Sequence, residues 1–281
     1  MTAGAEKAFV LDLGGDAMVG ILHPAAAADG LGVVLPMGGP QYRVGSHRQF
    51  VLIARALAGR GHPVVRFDTR GMGDSDGGFP GFEAIDDDQR AAVDALMVRS
   101  PAVRRVVLWG LCDAASAILF YAHQDPRIVG GVLVNPWVCT LEGQAKAEVR
   151  HYYGGRLASG AFWRKLARDE VAVGASLRSL VGTLARAARG RPSGAPNAPT
   201  LPERMAHGFR RFAGPALVAL SGKVLTAREF EDATRGPAWQ GLLENWRVAL
   251  HRLPNADHTF SQAAWRAEVI DWTAAFLRDL R

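Results

Sequence analysis

Cysteine is scarce in this sequence. Cys112 and Cys139 are the only two among 281 residues. Two cysteines are too few for a disulfide framework, and their spacing fits no zinc-binding motif. The sequence therefore predicts a protein of a reducing compartment, and we expect it to need neither a metal nor another cofactor.

Long hydrophobic runs are also missing. Residues 1–7 do not combine a basic segment with a following apolar run, so we expect no secretory signal. The most apolar window, residues 106–122, is interrupted by Gly110 and Asp113 and is too short to span a membrane. It is better explained as a buried strand followed by a helix. These absences predict a cytoplasmic protein without a membrane span.

Positive charge is concentrated in one part of the chain. The net charge is +6, and the excess lies between residues 138 and 212, while the remainder is slightly negative. No recognised nucleic-acid-binding module or aromatic platform accompanies these basic residues, which argues against a nucleic-acid partner. A solvated helical surface is the simpler interpretation.

Strand and helix patterns alternate outside that basic segment. Residues 8–13 and 17–23 predict an N-terminal β-hairpin. The pattern predicts further strands at 32–36, 63–68, 106–108, 129–134, 216–220 and 248–253, and helices at 46–60, 85–98, 117–121 and 263–280. Alternation of this kind predicts a mainly parallel sheet flanked by helices, with ligands bound at the carboxyl ends of the strands.

The alternation breaks between residues 138 and 212. This stretch has helical pieces, a Pro/Gly/Ser-rich interruption at 190–202 and no convincing strand. It is too long for an ordinary connection. The sequence therefore predicts a helical lid at 138–212, inserted into a core formed by residues 1–137 and 213–281.

A cysteine stands where a strand passes sharply into a helix. Residues 109–116 read Trp-Gly-Leu-Cys-Asp-Ala-Ala-Ser. In a nucleophile elbow, small residues flank a central nucleophile so that a strained turn can expose its reactive atom. Here Cys112 is central, and Ala114 takes the second small position. The alternative is a buried cysteine that packs as a small apolar residue.

A histidine follows the last predicted strand. A thiol nucleophile needs a base near neutral pH, and His258 has the side chain for that role. The orienting acid is less well defined. Glu229 and Asp232 are the nearest carboxylates after the 216–220 strand, although both also fit helix-surface charges. Asp257 adjoins His258, and adjacent side chains rarely face each other, so a Cys–His dyad without an acid is the other possibility.

Donors to an acyl oxyanion can be placed in the same way. The N–H of Asp113 begins the helix behind the elbow, and a second donor is expected after the 32–36 strand. Gly39 is the first choice and Gln41 the backup, because proline between them has no N–H. The run at 68–77 has the glycines and aspartates of a tight turn, which predicts a structural role. His47 is expected to be a partly exposed helix residue, with a place in the pocket as the alternative.

Taken together, these motifs resemble the α/β-hydrolase superfamily. More narrowly, residues 38–48, 67–77, 110–113 and 257–260 resemble the first hydrolase type associated with the exosortase A system. Members of that group accompany bacterial exopolysaccharide and protein-sorting gene clusters. The resemblance covers nearly the whole chain and is specific at Gly-Pro-Gln-Tyr-Arg and Gly-Leu-Cys-Asp. The family pattern has an Asp near Val224, and this sequence lacks it.

The resemblance implies acyl hydrolysis. With Cys112 and His258, it suggests a cysteine-dependent hydrolase of a small ester or thioester. An acyltransferase with the same site is one alternative, because a thioester intermediate can pass its acyl group to an alcohol or amine. A hydrolase-fold protein that binds a ligand without turnover is another. The sequence makes no prediction of oligomeric state.

Overall fold

The fold was examined in a computed structural model of the chain, which describes residues 5–26, 30–39, 41–138 and 198–280. The chain divides into a unit of residues 1–138 and 202–281 and a second unit of residues 139–201. Most of the lid predicted at 138–212 lies outside the described residues. Within the described part of the chain, no helix is long and apolar enough to cross a membrane.

One sheet contains the eight strands found among the described residues. They are β1 (Lys7–Leu13), β2 (Asp16–His23), β3 (Leu31–Leu35), β4 (Val64–Phe67), β5 (Arg105–Leu111), β6 (Ile128–Val134), β7 (Ala216–Ser221) and β8 (Val248–Leu253). The strand order is β1-β2-β4-β3-β5-β6-β7-β8. β1 pairs antiparallel with β2, and β2 with β4, while all the other pairs are parallel.

Burial along the strands follows their position in the sheet. The central strands β3, β5, β6 and β7 are almost continuously buried and rich in valine and leucine, as expected for parallel strands covered on both faces. The edge strands β1 and β8 instead alternate between more and less exposed residues. Because β3, β5, β6, β7 and β8 run parallel, their carboxyl ends lie along one edge of the sheet.

Helices flank the sheet. They are α1 (Gln49–Gly59), α2 (Asp86–Arg99), α3 (Asp113–Tyr121), α4 (Leu201–Arg211), α5 (Leu225–Thr234) and α6 (Ala263–Asp279). Trp109 of β5 shows how they attach. Its ring packs edge-on against Phe50 of α1, with centroids 5.9 Å apart, and its Nε1 donates to Thr273 Oγ1 of α6 at 3.2 Å.

The predicted α/β-hydrolase fold is confirmed, with a change before α1. The helix expected from Ser46 begins regularly only at Gln49. His47 and Arg48 have φ values of 55° and 59°, which a regular helix does not allow. His47 is therefore an exposed residue of a 3₁₀ turn, Ser46–Arg48, and not of the α-helix.

Candidate active site

Cys112 occupies a strained turn between β5 and α3. Its φ of 62° and ψ of −124° are unfavourable for a residue with a Cβ. Main-chain hydrogen bonds hold the turn: the N–H of Cys112 donates to Val134 O at 2.8 Å, and its carbonyl accepts from the N–H groups of Trp137 and Ser116 at 3.2 Å each. The strand, turn and helix arrangement is that of a nucleophile elbow.

Close backbone packing explains the glycines around this turn. A Cβ on Gly110 would lie 2.7 Å from the carbonyl carbon of Ala114. A Cβ on Gly38, after β3, would overlap Ala114 N and lie 2.6 Å from Asp113 C. The first turn of α3 thus packs directly on the main chain at Gly110 and Gly38.

The Cys112 thiol is partly buried and is not in a disulfide. Burial, followed by the nearby Asp113 carboxylate, raises the thiol pKa to about 12, and the N–H of Asp113 opposes this rise. The thiol is therefore almost entirely protonated at neutral pH. A base must remove its proton as the substrate is attacked.

His258 lies in the loop between β8 and α6. Burial lowers its pKa below the usual value, and the charge of Asp257 partly offsets this. A neutral imidazole can accept a proton, so this environment suits a general base.

No hydrogen bond links either predicted orienting acid to Nδ1 of this histidine. Nδ1 of His258 is buried and has no hydrogen-bond partner among the described residues. Asp232, on the exposed surface of α5, pairs with Arg235 at 2.5 Å. Glu229 lies on the same helix. Its role as orienting acid stays a prediction.

Asp257 braces its own loop. Its Oδ1 accepts the N–H groups of Thr259 at 3.2 Å and Ser261 at 3.0 Å, and its Oδ2 accepts the Ser261 hydroxyl. These bonds explain why Asp257, although next to His258, does not orient the imidazole through a hydrogen bond.

Asn135 connects the elbow region with the His258 loop. Strands β6 and β7 separate β5 from β8, which corresponds to about 14 Å at the usual strand spacing. Asn135 follows β6 directly, one residue after the carbonyl that pairs with the N–H of Cys112. Its Nδ2 donates to His258 O at 2.9 Å, and its Oδ1 accepts from Ser221 N at 2.8 Å. One buried amide thereby ties the ends of β6 and β7 to the His258 loop.

Asn135 is a site residue that the sequence motifs did not indicate. The available signal was its place as the first polar residue after an apolar strand, at the edge where parallel sheets bind ligands. The structure brings Cys112 and His258 to this same edge.

The predicted oxyanion donors are the N–H groups of Asp113, Gly39 and Gln41. The N–H of Asp113 faces the Cys112 thiol, and Gly39 lies beside the elbow. A Cβ on Gly39 would overlap Asp113 Oδ2. The N–H of Gln41 donates to Gly39 O at 2.5 Å. The role of Gln41 as the backup oxyanion donor stays a prediction.

A buried carboxylate holds the loop that carries Gly39. Asp68 follows β4 and is fully buried. It accepts the N–H of Arg43 at 2.6 Å and the N–H of Asp74 at 3.1 Å, and it also pairs with the Arg43 guanidinium. Asp74 Oδ2 binds the same guanidinium at 2.8 Å and accepts the Tyr42 hydroxyl at 3.0 Å. The turn at 68–77 thus has a structural role. Its aspartates bind Tyr42 and Arg43, which explains why this pair follows the Gly39 region.

Replacing Asp68 by alanine is expected to lower the free energy of unfolding by about 3–5 kcal/mol, because it leaves two N–H groups without their acceptor and the largely buried Arg43 guanidinium with only the exposed Asp74 as its partner. Urea denaturation measures this change. Asp76→Ala is the matched control: Asp76 is an exposed aspartate of the same turn, and its replacement is expected to cost within about 0.5 kcal/mol. Equal effects of the two substitutions would contradict the bracing role of Asp68.

Metal chemistry has no candidate site in the described ranges. No group of three or more His, Cys, Asp or Glu side chains within them could hold an ion.

An elbow after a central strand and a histidine after the last strand, at one edge of a mostly parallel sheet, define an α/β-hydrolase. Residues 32–272 match the alpha/beta hydrolase family. The chain belongs to that family.

Solved structures share the fold at low sequence identity. An esterase from Pyrococcus furiosus has a TM-score of 0.65 and 16% identity, with 98% of this chain and 91% of that chain covered. Dienelactone hydrolase from Anabaena variabilis has a TM-score of 0.62 and 14% identity, with 99% of each chain covered. Proline iminopeptidase from Mycobacterium smegmatis has a TM-score of 0.60 and 16% identity, with 98% of each chain covered. No curated protein matches the sequence.

Proposed function

We propose that the protein is a cysteine-dependent hydrolase of acyl esters or thioesters. The observation that carries this proposal is the strained turn at Cys112, which presents a thiol at the edge of the sheet where His258 also lies. In an α/β-hydrolase elbow, such a turn exposes the nucleophile to the substrate. The strain has a functional explanation because it aims this one side chain.

The proposed reaction has two steps. In the first, His258 takes the Cys112 proton while sulfur attacks the acyl carbon, and the alcohol or thiol leaves with that proton. In the second, His258 takes a proton from water, which attacks the thioester intermediate; the C–S bond breaks, the acid is released, and His258 returns the proton to the Cys112 sulfur. The N–H groups of Asp113 and Gly39 stabilise the oxyanion in both steps.

The pKa shifts support proton transfer that accompanies attack. The pKa of Cys112 is raised to about 12, and that of His258 is lowered. A resting thiolate–imidazolium pair is therefore strongly disfavoured. Sulfur becomes negatively charged only as the bond to the acyl carbon forms, so its charge passes at once to the oxyanion.

Known proteins with this fold agree with the general reaction class, since an esterase and a dienelactone hydrolase are among them. We further propose that the chain acts in the cytoplasm and that its function is related to that of the exosortase-associated hydrolases. The basic segment 138–212 would form a lid that favours an anionic thioester such as an acyl-CoA. A KM that rises strongly with salt would support an anionic substrate, and a KM independent of salt would exclude it.

Trapping the intermediate tests the proposal. The protein is mixed with a p-nitrophenyl ester or an acyl-CoA, quenched in acid during turnover and analysed by mass spectrometry. We expect an acyl adduct on the peptide that contains Cys112. Adding alcohol or amine acceptors distinguishes transfer from hydrolysis, because transfer gives acylated acceptor. Turnover with an adduct on another residue would overturn the assignment of Cys112.

Ligand binding without turnover is the second candidate. The observation that favours it is the buried Nδ1 of His258, which lacks an orienting partner among the described residues. This candidate predicts that mixing the protein with an ester or an acyl-CoA gives neither product nor an adduct on Cys112.

A further inference from the structure

The carboxyl group of Asp113 lies where the two predicted oxyanion donors meet. Asp113 directly follows the nucleophile and is the first residue of α3. Its Oδ1 accepts the N–H of Ala114 at 3.0 Å. Its Oδ2 lies against Gly39, where an added Cβ would overlap this oxygen and be 3.2 Å from the Asp113 Cγ. The side chain therefore occupies the space between the start of α3 and the loop after β3.

No cation in the described part of the chain pairs with this carboxyl. The connection from β3 to α1 carries two arginines: Arg43 is bound to Asp68 and Asp74, and Arg48 is exposed. The other titratable groups at this edge are the Cys112 thiol, His258 and Asp257 on the loop after β8, and His47, which lies near enough to Asp257 to lower the pKa of that carboxyl. Burial raises the pKa of Asp113 to about 6, while two backbone N–H groups oppose the rise. The carboxyl therefore changes protonation state within the range in which enzymes work.

The two protonation states act oppositely on the proposed reaction. An ionised carboxylate accepts the N–H groups at the start of α3 and repels the negative charge that develops on the acyl oxygen. A protonated carboxyl keeps an acceptor for Ala114 and gains an O–H donor. Carboxylic acids that burial keeps neutral can donate a hydrogen bond to an oxyanion.

We propose that Asp113 is a catalytic residue whose protonated carboxyl donates to the oxyanion, and whose ionised form closes the oxyanion hole. This inference rests on the proposed function, because it concerns the intermediate formed on Cys112. It assigns a chemical reason to aspartate at the position after the nucleophile, where the N–H alone would serve with any side chain.

The proposal predicts a narrow pH profile. His258 must be neutral, so activity falls on the acid side as that imidazole is protonated. Asp113 must be protonated, so activity falls on the alkaline side as the pH rises through the Asp113 pKa of about 6. Since the pKa of His258 is lowered and that of Asp113 is about 6, the optimum for kcat/KM lies on the acid side of neutrality. At pH 8 about 1% of a group with that pKa keeps its proton, so we expect kcat/KM to fall roughly 10- to 100-fold between pH 6 and pH 8.

Asp113→Asn tests the proposal because asparagine keeps the shape and a donor but does not titrate. The measurement is kcat/KM for an uncharged p-nitrophenyl ester between pH 4.5 and pH 9. We expect the variant to lose the alkaline limb and keep the acid limb. Asp113→Ala, without a donor, is expected to lose the alkaline limb and to have a lower kcat than Asp113→Asn. Asp87→Asn, at an exposed aspartate of α2, is the matched control and should keep both limbs.

The outcomes separate this inference from the proposed function. An alkaline limb that persists in Asp113→Asn overturns the role of Asp113 and leaves the nucleophile untouched. Wild-type protein without turnover or an adduct on Cys112 overturns both. Alkylation of Cys112 by iodoacetamide gives a readout that needs no turnover: because the Asp113 charge raises the thiol pKa, Asp113→Asn should react faster at pH 8. An unchanged rate would show that the carboxyl does not act on the site.

Discussion

Replacing Cys112 by alanine is expected to lower kcat/KM for an acyl ester by at least about 10⁴-fold, because removing the nucleophile of such a site costs most of the catalysed rate. The backbone donors of the oxyanion hole would remain and account for the residual activity. The measurement is release of p-nitrophenol under steady-state conditions, with trace contaminating activity excluded by titration with an irreversible acylating inhibitor.

Two variants make this result specific. Cys139→Ala changes the other cysteine, which lies outside the described residues, and is expected to stay active. Cys112→Ser keeps a nucleophile of similar size with a much less acidic proton, and we expect its activity to lie between that of wild type and Cys112→Ala. Activity of Cys112→Ala above one tenth of wild type would exclude Cys112 as the nucleophile.

Replacing His258 by glutamine is expected to lower kcat by about 10²- to 10⁴-fold, the usual contribution of a general base. Since the pKa of His258 is lowered, the acid limb of wild-type activity should lie below the usual histidine value of about 6.5. That limb should disappear in the variant. The measurement is kcat and kcat/KM as functions of pH, with circular dichroism as a check on folding.

His251 provides the matched control. It lies on β8, stacked on Trp272 at 4.5 Å, and burial also lowers its pKa. His251→Gln removes a histidine from the same region but not the proposed base. It therefore shows how much activity is lost when any titratable ring is removed there. If His251→Gln and His258→Gln reduced kcat equally, the role of His258 as base would be rejected.

Local patterns were sufficient to predict the order of the eight strands along the chain. The buried strand β6 and the final helix α6 begin or end within one residue of their predicted bounds, because hydrophobic periodicity reports burial directly. The elbow was also accessible, since small residues around Cys112 reflect a steric requirement within a few positions. The structure shows that requirement as the contact of Gly110 with the start of α3.

Interactions between distant segments could not be predicted from the sequence. Nothing near Asn135 in the sequence indicates that its amide reaches His258, 123 positions away. The same holds for Asp68, which binds Arg43 from a different strand end. Sequence reasoning also treated Asp113 as a backbone donor, because only the packing of α3 against the loop after β3 shows where its carboxyl lies. The left-handed His47 and Arg48 were missed because tertiary packing overrode the helical pattern.

The main chain alone decides where the side chain of residue 112 points. Its peptide groups bond to those of residues 116, 134 and 137, and the glycines at 38 and 110 leave room only for backbone. These main-chain contacts therefore do not depend on whether the nucleophilic atom of that side chain is oxygen or sulfur. Serine and cysteine codons differ by a single base, so an ancestral oxygen nucleophile and a descendant sulfur one could share this architecture, and evolution could explore different leaving groups without rebuilding it.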